Sequence, residues 1–323
     1  MSKIFSGIRP SGKLHLGNYL GAIKNWISLQ DEADQAIFAV VDYHGITTPF
    51  DPKTFHQQVM DVILDYLAAG LNPDKSLLIR QSHVPQHTEL AWIFNTITPV
   101  SWLDRLPTYR EQLEKTKANN MGLLDYPVLM AADILVYKSD LVPVGEDQLP
   151  HIDLTNEIGA RFNSSFGETF PNVKAKLTEG ARIMSLKDPL AKMSKTGDEG
   201  IALSDSPDEI KRKISVATTD SGKEIHYDEK EKPGISNLMT IYHLLSDKSL
   251  TDIESGYAGK TYVEFKKDLS DIIVSFLQPF QSRRKEFENN LDQVVSILEK
   301  SEQKCRALAD ETLSDVKSKM GLI

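Results

Sequence analysis

Residues 4–26, I-F-S-G-I-R-P-S-G-K-L-H-L-G-N-Y-L-G-A-I-K-N-W, decide how this chain is read. The short apolar run at residues 4–8 has the character of a buried strand. Arg9-Pro10-Ser11-Gly12 carries turn chemistry, because Pro presets φ and Gly permits a positive φ. From Leu14 on, Leu16, Leu20, Ile23 and Ile27 recur at helical spacing. The order is therefore strand, tight loop, helix, with the loop aimed at a helix N-terminus. Free N–H donors and a partial positive charge make such a terminus suited to phosphate. His15 and Asn18 stand three apart, share a helical face and can both donate to phosphate oxygens. Gly17 between them leaves a floor with no side chain against which a flat base can lie. The plain alternative is a βα corner with a surface His.

Working outward, residues 36–41 (A-I-F-A-V-V) read as a second buried strand running into Asp42-Tyr43-His44. Open α/β sheets place their ligands at such strand ends. Asp51-Pro52 starts a helix through about Ala69, stopped by Gly70 and Pro73. Residues 77–80 read as a third strand, and residues 89–97 as a helix ending before Pro99. Alternation of β and α predicts a parallel sheet with helices on both faces. A helix over 101–117 with a charged face follows.

Residues 126–137 (Y-P-V-L-M-A-A-D-I-L-V-Y) are apolar almost all round, hence a buried helix, yet Asp133 sits in the middle. A carboxylate there is costly unless paired. It is either a structural partner of some cation or a group waiting for a substrate's N–H or O–H, with Met130 one turn before it. Residues 141–144 form another short strand, placed at an edge or bulge by Pro143. Gly145-Glu146-Asp147-Gln148 follow, with groups that can accept from ribose hydroxyls, and then a helix over about 149–162. Residues 182–185 read as a last strand before the Lys- and Gly-rich loop K-D-P-L-A-K-M-S-K-T-G-D-E-G at 187–200. Lys192 and Lys195 flank Ser194 and can close over a triphosphate. From Ser206 strand signals vanish. Ser206, Pro207 and Glu209 form a capping box, and helices over about 262–276, 279–298 and 302–320 follow an opening at Pro233.

Composition narrows the function classes. At 323 residues one large domain plus a smaller one is expected. With 40% hydrophobic and 26% charged residues the chain is typical of soluble globular proteins. A single cysteine, Cys305, excludes an internal disulfide and a four-cysteine metal site. The net charge of −9 argues against nonspecific coating of nucleic acid, although local basic patches can still serve one. No signal-peptide core or membrane-length apolar run is present, so the expectation is a cytoplasmic protein without membrane contact.

Two of these stretches resemble paired signatures of the class I aminoacyl-tRNA synthetases. H-L-G-N at 15–18 is similar to their H-I-G-H motif, with Asn18 in the second His position as in the tryptophanyl branch. K-M-S-K-T at 192–196 is similar to K-M-S-K-S, with Thr196 keeping the hydroxyl. F-S-G-I-x-P-S-G, G-N-Y-x-G-A, M-A-A-D-I-L, V-P-V-G-E-D-Q, A-R-I-M-S-L and K-P-G-I-S-N-L follow the order seen in bacterial tryptophanyl-tRNA synthetases along the whole length. The resemblance implies a Rossmann-like catalytic domain over 1–187, with a dimer-contact insertion near 100–170. It implies an all-helical anticodon-binding domain over 188–295, and a C-terminal helix over 296–323 packing back on the first domain.

It further implies a homodimer that joins tryptophan to ATP and passes the product to tRNA(Trp), with Mg²⁺ carried by the phosphates and no metal held by the protein. His15, Asn18, Lys192 and Lys195 would be catalytic. Arg9, Pro10, Ser11, Gly17, Asn18, Gly145, Glu146, Asp147, Ile183 and residues Lys192, Met193, Ser194, Lys195 and Thr196 would bind ATP. Phe5, His44, Tyr126, Met130, Asp133, Val142, Val144 and Gln148 would bind tryptophan. Arg9 departs from the Gln common in the family, and its fork can clamp either the substrate carboxylate or the α-phosphate. Lys211, Arg212, Lys213, Arg283, Arg284 and Lys285 are candidate tRNA phosphate contacts, against plain solvated faces. Three other readings remain: a tyrosyl-specific enzyme of the subclass, a catalytically silent tRNA-binding relative, and a small-molecule adenylyltransferase.

Overall fold

The chain's apolar runs pair into one five-stranded parallel sheet in the order β3-β2-β1-β4-β5. The strands are β1 (Lys3–Ile8), β2 (Gln35–Val40), β3 (Leu77–Arg80), β4 (Leu141–Val144) and β5 (Lys174–Leu177). The structure is a computed structural model describing residues 2–107, 109–111, 120–177, 183–193, 199–246 and 248–323. Side chains alternate across each strand, and both faces are covered. Ala36, Phe38 and Val40 enter one core with Trp26 and Tyr66, whereas Ile37, Ala39 and Val41 enter the other with Phe5, Leu135 and Phe162. The order reverses between β1 and β4, so a crevice opens beyond their C-terminal ends.

The first helix begins at Leu16, runs as Leu16–Asn18, passes through a π turn over Tyr19–Ile23 and continues as Lys24–Glu32. Such turns concentrate where a helix meets a ligand site. Gly12 has a φ of 118°, as the turn chemistry requires. Asp51 caps the Pro52–Ala69 helix by accepting from Lys53 N at 2.9 Å, and Gly70 ends it in the left-handed region with a φ of 114°. Beyond Ser206, whose capping box with Glu209 is formed, the described elements are helices: Pro207–Ser215, Pro233–Leu245, Leu250–Gly256, Tyr262–Glu288 and Leu291–Lys319. No described helix is long and apolar enough to cross a membrane.

Several boundaries depart from the sequence reading. The fifth strand is Lys174–Leu177, not residues 182–185. Its two lysines suit an edge, where a charged side chain discourages further pairing, and they hide the apolar signal. Arg182 lies outside the described residues, and Met184 makes only an isolated bridge to Lys192. Pro143 is not at an edge: β4 lies between β1 and β5, pairing with β5 from Leu141↔Lys174 to Val144↔Leu177 but with β1 only at Ile4↔Leu141. A residue without N–H is tolerated because that seam is short. Pro279 does not break its helix, which continues to Glu288, while Leu291–Lys319 is one rod where a boundary was expected near 298–302. The helix read as 101–117 is seen over Val100–Asp104, and residues 108 and 112–119 lie outside the described residues.

The last helix packs against β3 and the Gln86–Asn95 helix. Glu302, 1% exposed, anchors it. Its carboxylate accepts from Arg80 Nε at 2.7 Å, Arg80 Nη2 at 3.0 Å and the Arg80 backbone N–H at 3.2 Å. Cys305 joins the same core as Phe94 and Leu135.

Candidate nucleotide and amino-acid site

A cavity of about 1200 Å³ occupies the crevice at the C-terminal ends of β1 and β4. β1 contributes Phe5, and the turn after it contributes Arg9 and Ser11. Gly17 and Asn18 enter from the first helix and His44 from the Asp42–Gly45 turn after β2. Tyr126, Met130 and Asp133 recur every three to four residues along Met121–Leu135 and so point the same way. β4 and its turn add Val142, Val144, Gly145, Glu146, Asp147 and Gln148. Lys192 closes one side. The fold thus brings together most residues singled out in the sequence. Ser194, Lys195 and Thr196 lie outside the described residues.

Four others stand behind the cavity wall. Pro10 is buried with its ring toward Gly45, where an added Cβ would come 3.2 Å from Pro10 Cδ. Ile183 and Met193 are buried, and Met193 N donates to Ile183 O at 3.1 Å. His15 is buried too and does not share an open face with Asn18. The two cap each other: Asn18 N donates to His15 Nδ1 at 3.2 Å, and His15 N donates to Asn18 Oδ1 at 3.1 Å. His15 Nδ1 is therefore an acceptor, leaving Nε2 as the N–H of a neutral ring. Gly17 lines the cavity, but a Cβ there would first meet the His15 ring, at 3.0 Å from Nδ1. The glycine is required by its own neighbour as well as by any ligand.

The first signature stretch is joined through the backbone to the segment that follows the Lys-rich loop. Leu16 N donates to Ile201 O at 2.8 Å and Leu203 N to Leu14 O at 2.9 Å, with His15 and Ala202 forming an antiparallel bridge between them. Both flanks of the Lys-rich loop are held. On the entry side Ser185 N donates to Ala191 O at 2.8 Å. Asn237 from the Pro233–Leu245 helix grips Met184, accepting from its N at 2.9 Å and donating to its O at 3.0 Å. On the exit side Lys213 Nζ bonds Asp205 Oδ2 at 2.7 Å and Gly200 O at 3.0 Å.

Asp133 is not an unpaired carboxylate. It is 1% exposed and accepts from three side chains. His44 Nε2 lies 2.8 Å from Oδ2, His87 Nδ1 lies 2.6 Å from Oδ1, and Gln81 Nε2 reaches both oxygens at 2.7 and 2.9 Å. Burial alone would raise its carboxyl, but the hydrogen bonds from His44 and His87 lead the causes that outweigh it and hold it below the ordinary carboxylate value. A carboxylate has about four lone-pair sites. Three donors make four contacts on them, because Gln81 is shared between both oxygens. A further donor is therefore taken on where that shared contact reduces to a single one, on a group kept ionised within an apolar wall. The aromatic surround is Phe5 stacked on Tyr137 and Tyr126 edge-on to His44. Arg9 donates from Nη2 to Thr48 Oγ1 at 3.1 Å, and its charged fork reaches the cavity.

Sequence reading missed Gln81, His87, Tyr137 and His151 as site residues. Gln81 had a usable signal, a polar residue at the C-terminal end of a buried strand. His87 fell outside because its helix begins at Gln86, not Glu89. His151 is buried on the first turns of the Leu149–Phe166 helix and bonds the Tyr126 hydroxyl through Nε2 at 3.0 Å. The basic candidates for tRNA phosphate are largely engaged inside the chain. Arg283 Nε donates to Ala68 O at 2.7 Å, Arg284 bonds Asp65 at 2.7 Å and Asp61 at 2.8 Å, and Lys213 is buried on Asp205. Lys211 pairs with Asp271 at 3.4 Å. Among the described residues no group of three His, Cys, Asp or Glu is arranged to hold a metal ion.

A family model described as tRNA synthetases class I (W and Y) matches residues 1–278. The chain is 43% identical over 327 residues to "Tryptophan--tRNA ligase" of Rickettsia conorii, covering 99% of this chain and 98% of that protein. It is 44% identical over 326 residues to the ligase of the same name from Helicobacter pylori, covering 99% of each. Tryptophanyl-tRNA synthetase of Mycoplasma pneumoniae superposes with a TM-score of 0.88 at 32% identity, over 99% of this chain and 98% of that one. The Campylobacter jejuni enzyme complexed with ADP and tryptophan gives 0.88 at 31% identity, over 99% of both. This chain belongs to the class I tRNA synthetases of the tryptophan and tyrosine branch.

Proposed function

We propose that this chain is an ATP-dependent tryptophan–tRNA ligase. The observation that carries the reading is Asp133, an ionised carboxylate buried in an apolar wall of a cavity that Gly17, Asn18 and Lys192 of the two signature segments also line. Full-length likeness to ligases named for tryptophan supports it. In the first step the amino-acid carboxylate attacks the α-phosphorus of ATP, the bond to the bridging oxygen breaks, and pyrophosphate leaves with the electron pair. No general base is needed, because the nucleophile is already ionised at neutral pH. In the second step a ribose hydroxyl at the 3′ end of tRNA attacks the acyl carbon and AMP leaves. Catalysis is positioning plus charge stabilisation.

In this reading Asp133 accepts the indole N–H. Phe5, Met130, Val142 and Val144 enclose the ring, Tyr126 and Gln148 lie toward the amino-acid backbone groups, and His44, bonded to Asp133, lies close to both ligands. Gly145, Glu146 and Asp147 take the adenosine, with Ile183 behind it, and the Asn18 end of the first helix faces the phosphates. Lys192, joined by Lys195, follows the departing pyrophosphate. The nucleotide would enter as its Mg²⁺ complex, in which the ion would supply neutralisation of phosphate charge beside Lys192. The helices beyond residue 206 bind tRNA(Trp). The functional unit is a cytoplasmic homodimer, supported by the exposed apolar side chains Trp92, Val100 and Met121 in and beside the 100–170 region. ATP–pyrophosphate exchange measured with each amino acid in turn tests the reading. Exchange with tryptophan alone is expected; exchange with tyrosine points to the tyrosyl branch, and none at all to a silent tRNA-binding relative.

A further inference from the structure

His87 and Tyr137 do not line the amino-acid cavity, and both are buried behind its wall. They nevertheless reach its buried carboxylate in series. His87 Nδ1 is 2.6 Å from Asp133 Oδ1, and His87 Nε2 is 2.6 Å from the Tyr137 hydroxyl. Proton directions follow from acceptor counting. An ionised carboxylate only accepts, so Nδ1 carries the proton; in a neutral ring Nε2 then accepts from Tyr137. Tyr137 is fixed in turn, with its ring stacked on Phe5 at a centroid separation of 5.8 Å and its hydroxyl against the Cys305 thiol of the last helix.

The two oxygens of Asp133 are therefore unequal. Oδ1 accepts from His87 and Gln81, both fully buried and absent from the cavity lining. Oδ2 shares Gln81 at 2.9 Å, but its other donor is His44, which lines the cavity, so Oδ2 is the oxygen whose own partner faces the substrate. We propose that His87 and Tyr137 are positioning residues for amino-acid selection, clamping Oδ1 from behind so that Oδ2 is presented to the substrate's indole N–H. The inference rests on the reading of Asp133 as the acceptor of that N–H. A carboxylate loosened at Oδ1 can turn and satisfy itself on His44. The site then loses its penalty for a ligand that brings no donor, which is what lets such pockets reject isosteres.

The test compares tryptophan with its benzothiophene isostere, in which sulfur replaces the indole N–H, in ATP–pyrophosphate exchange by the full chain. His87→Leu is expected to raise KM for tryptophan and cut the preference for tryptophan over the isostere by about tenfold or more, with KM for ATP unchanged. His87→Asn, which returns an N–H near the Nδ1 position, should recover most of the preference. Tyr137→Phe should lower it in the same direction by less. An unchanged preference in folded His87→Leu and Tyr137→Phe, with the preference abolished in Asp133→Ala, overturns the clamp and leaves the reading of Asp133 standing. A preference that survives Asp133→Ala overturns both. If His87→Asn recovers nothing, the ring acts by packing alone and the clamp is overturned. If His87→Leu does not fold, Tyr137→Phe decides by itself.

Discussion

Lys192 Nζ lies 3.2 Å from Asp147 Oδ1, so the Lys-rich segment and the turn after β4 meet across the cavity mouth. Burial would raise the Asp147 carboxyl, but bonds from Gln148 and Lys192 hold it below its ordinary value. Both side chains are more than half exposed, and such pairs contribute less than about 1 kcal/mol. The ammonium is thus held weakly enough to be taken over by a polyphosphate. Lys192→Ala is expected to lower the rate of pyrophosphate exchange by about 10²-fold while KM for tryptophan stays within a factor of about two. Initial rates with each substrate varied in turn provide the check.

Asp133→Ala removes the acceptor for His44, Gln81 and His87 as well as for the substrate. A hydrogen bond to a charged group is worth about 1.5–3 kcal/mol, so kcat/KM for tryptophan should fall by roughly 10- to 100-fold. ATP binding, measured without amino acid, should change little. Equal loss of both would place Asp133 outside the amino-acid pocket.

The sheet was legible where strands are short apolar runs. Residues 77–80 and 141–144 have the bounds read from sequence, because each buries nearly every side chain or ends in turn residues. Lys174–Leu177 was not legible, since three of its four residues are exposed and its partner β4 supplies the order. Pro279 misled for a complementary reason. Its missing N–H costs one helical bond, and burial of Leu277 and Phe280 in the core on either side offsets that loss. At the site, Asp133, Asn18 and Lys192, singled out by residue type, all line the cavity. The pairings of Asp133 with His87 and Gln81 and of Lys192 with Asp147 were invisible, because these residues are far apart in sequence and only the fold brings them within bonding distance. The reciprocal cap of His15 and Asn18 was encoded in their spacing, but the same spacing fits an open shared face.

Arg80 and Glu302 form a forked ion pair, 8% and 1% exposed, between β3 and the last helix. Removing one partner of a buried pair leaves the other charge without compensation, at a cost of about 3–5 kcal/mol. Glu302→Ala should therefore destabilise the whole chain by that order in urea unfolding. Arg80→Met combined with Glu302→Leu should recover much of it, because two apolar groups of similar size leave no stranded charge.

His151 supplies a pH dependence whose sign follows from its surroundings. Burial first, and then the nearby His44, lower its pKa to about 4, with Asp147 pulling weakly the other way. The folded chain thus keeps the ring neutral, with Nε2 beside the Tyr126 hydroxyl at 3.0 Å. In the unfolded chain the ring titrates near its ordinary 6.5. Above that value neither state binds the proton and the full contribution of His151 is present. Between 6.5 and about 4 the unfolded chain takes up a proton that the folded chain refuses, so stability falls with pH; below about 4 both bind it and the loss stops. The total is on the order of 3 kcal/mol. His151→Gln keeps a side-chain amide for Tyr126 but cannot titrate. The stability lost between pH 7 and pH 4.5, read from urea midpoints, should be smaller in that variant than in the parent by about 2 kcal/mol. Identical losses in the two proteins would mean that the ring is protonated in the folded state, and with it that Tyr126 is not held by an acceptor at this position.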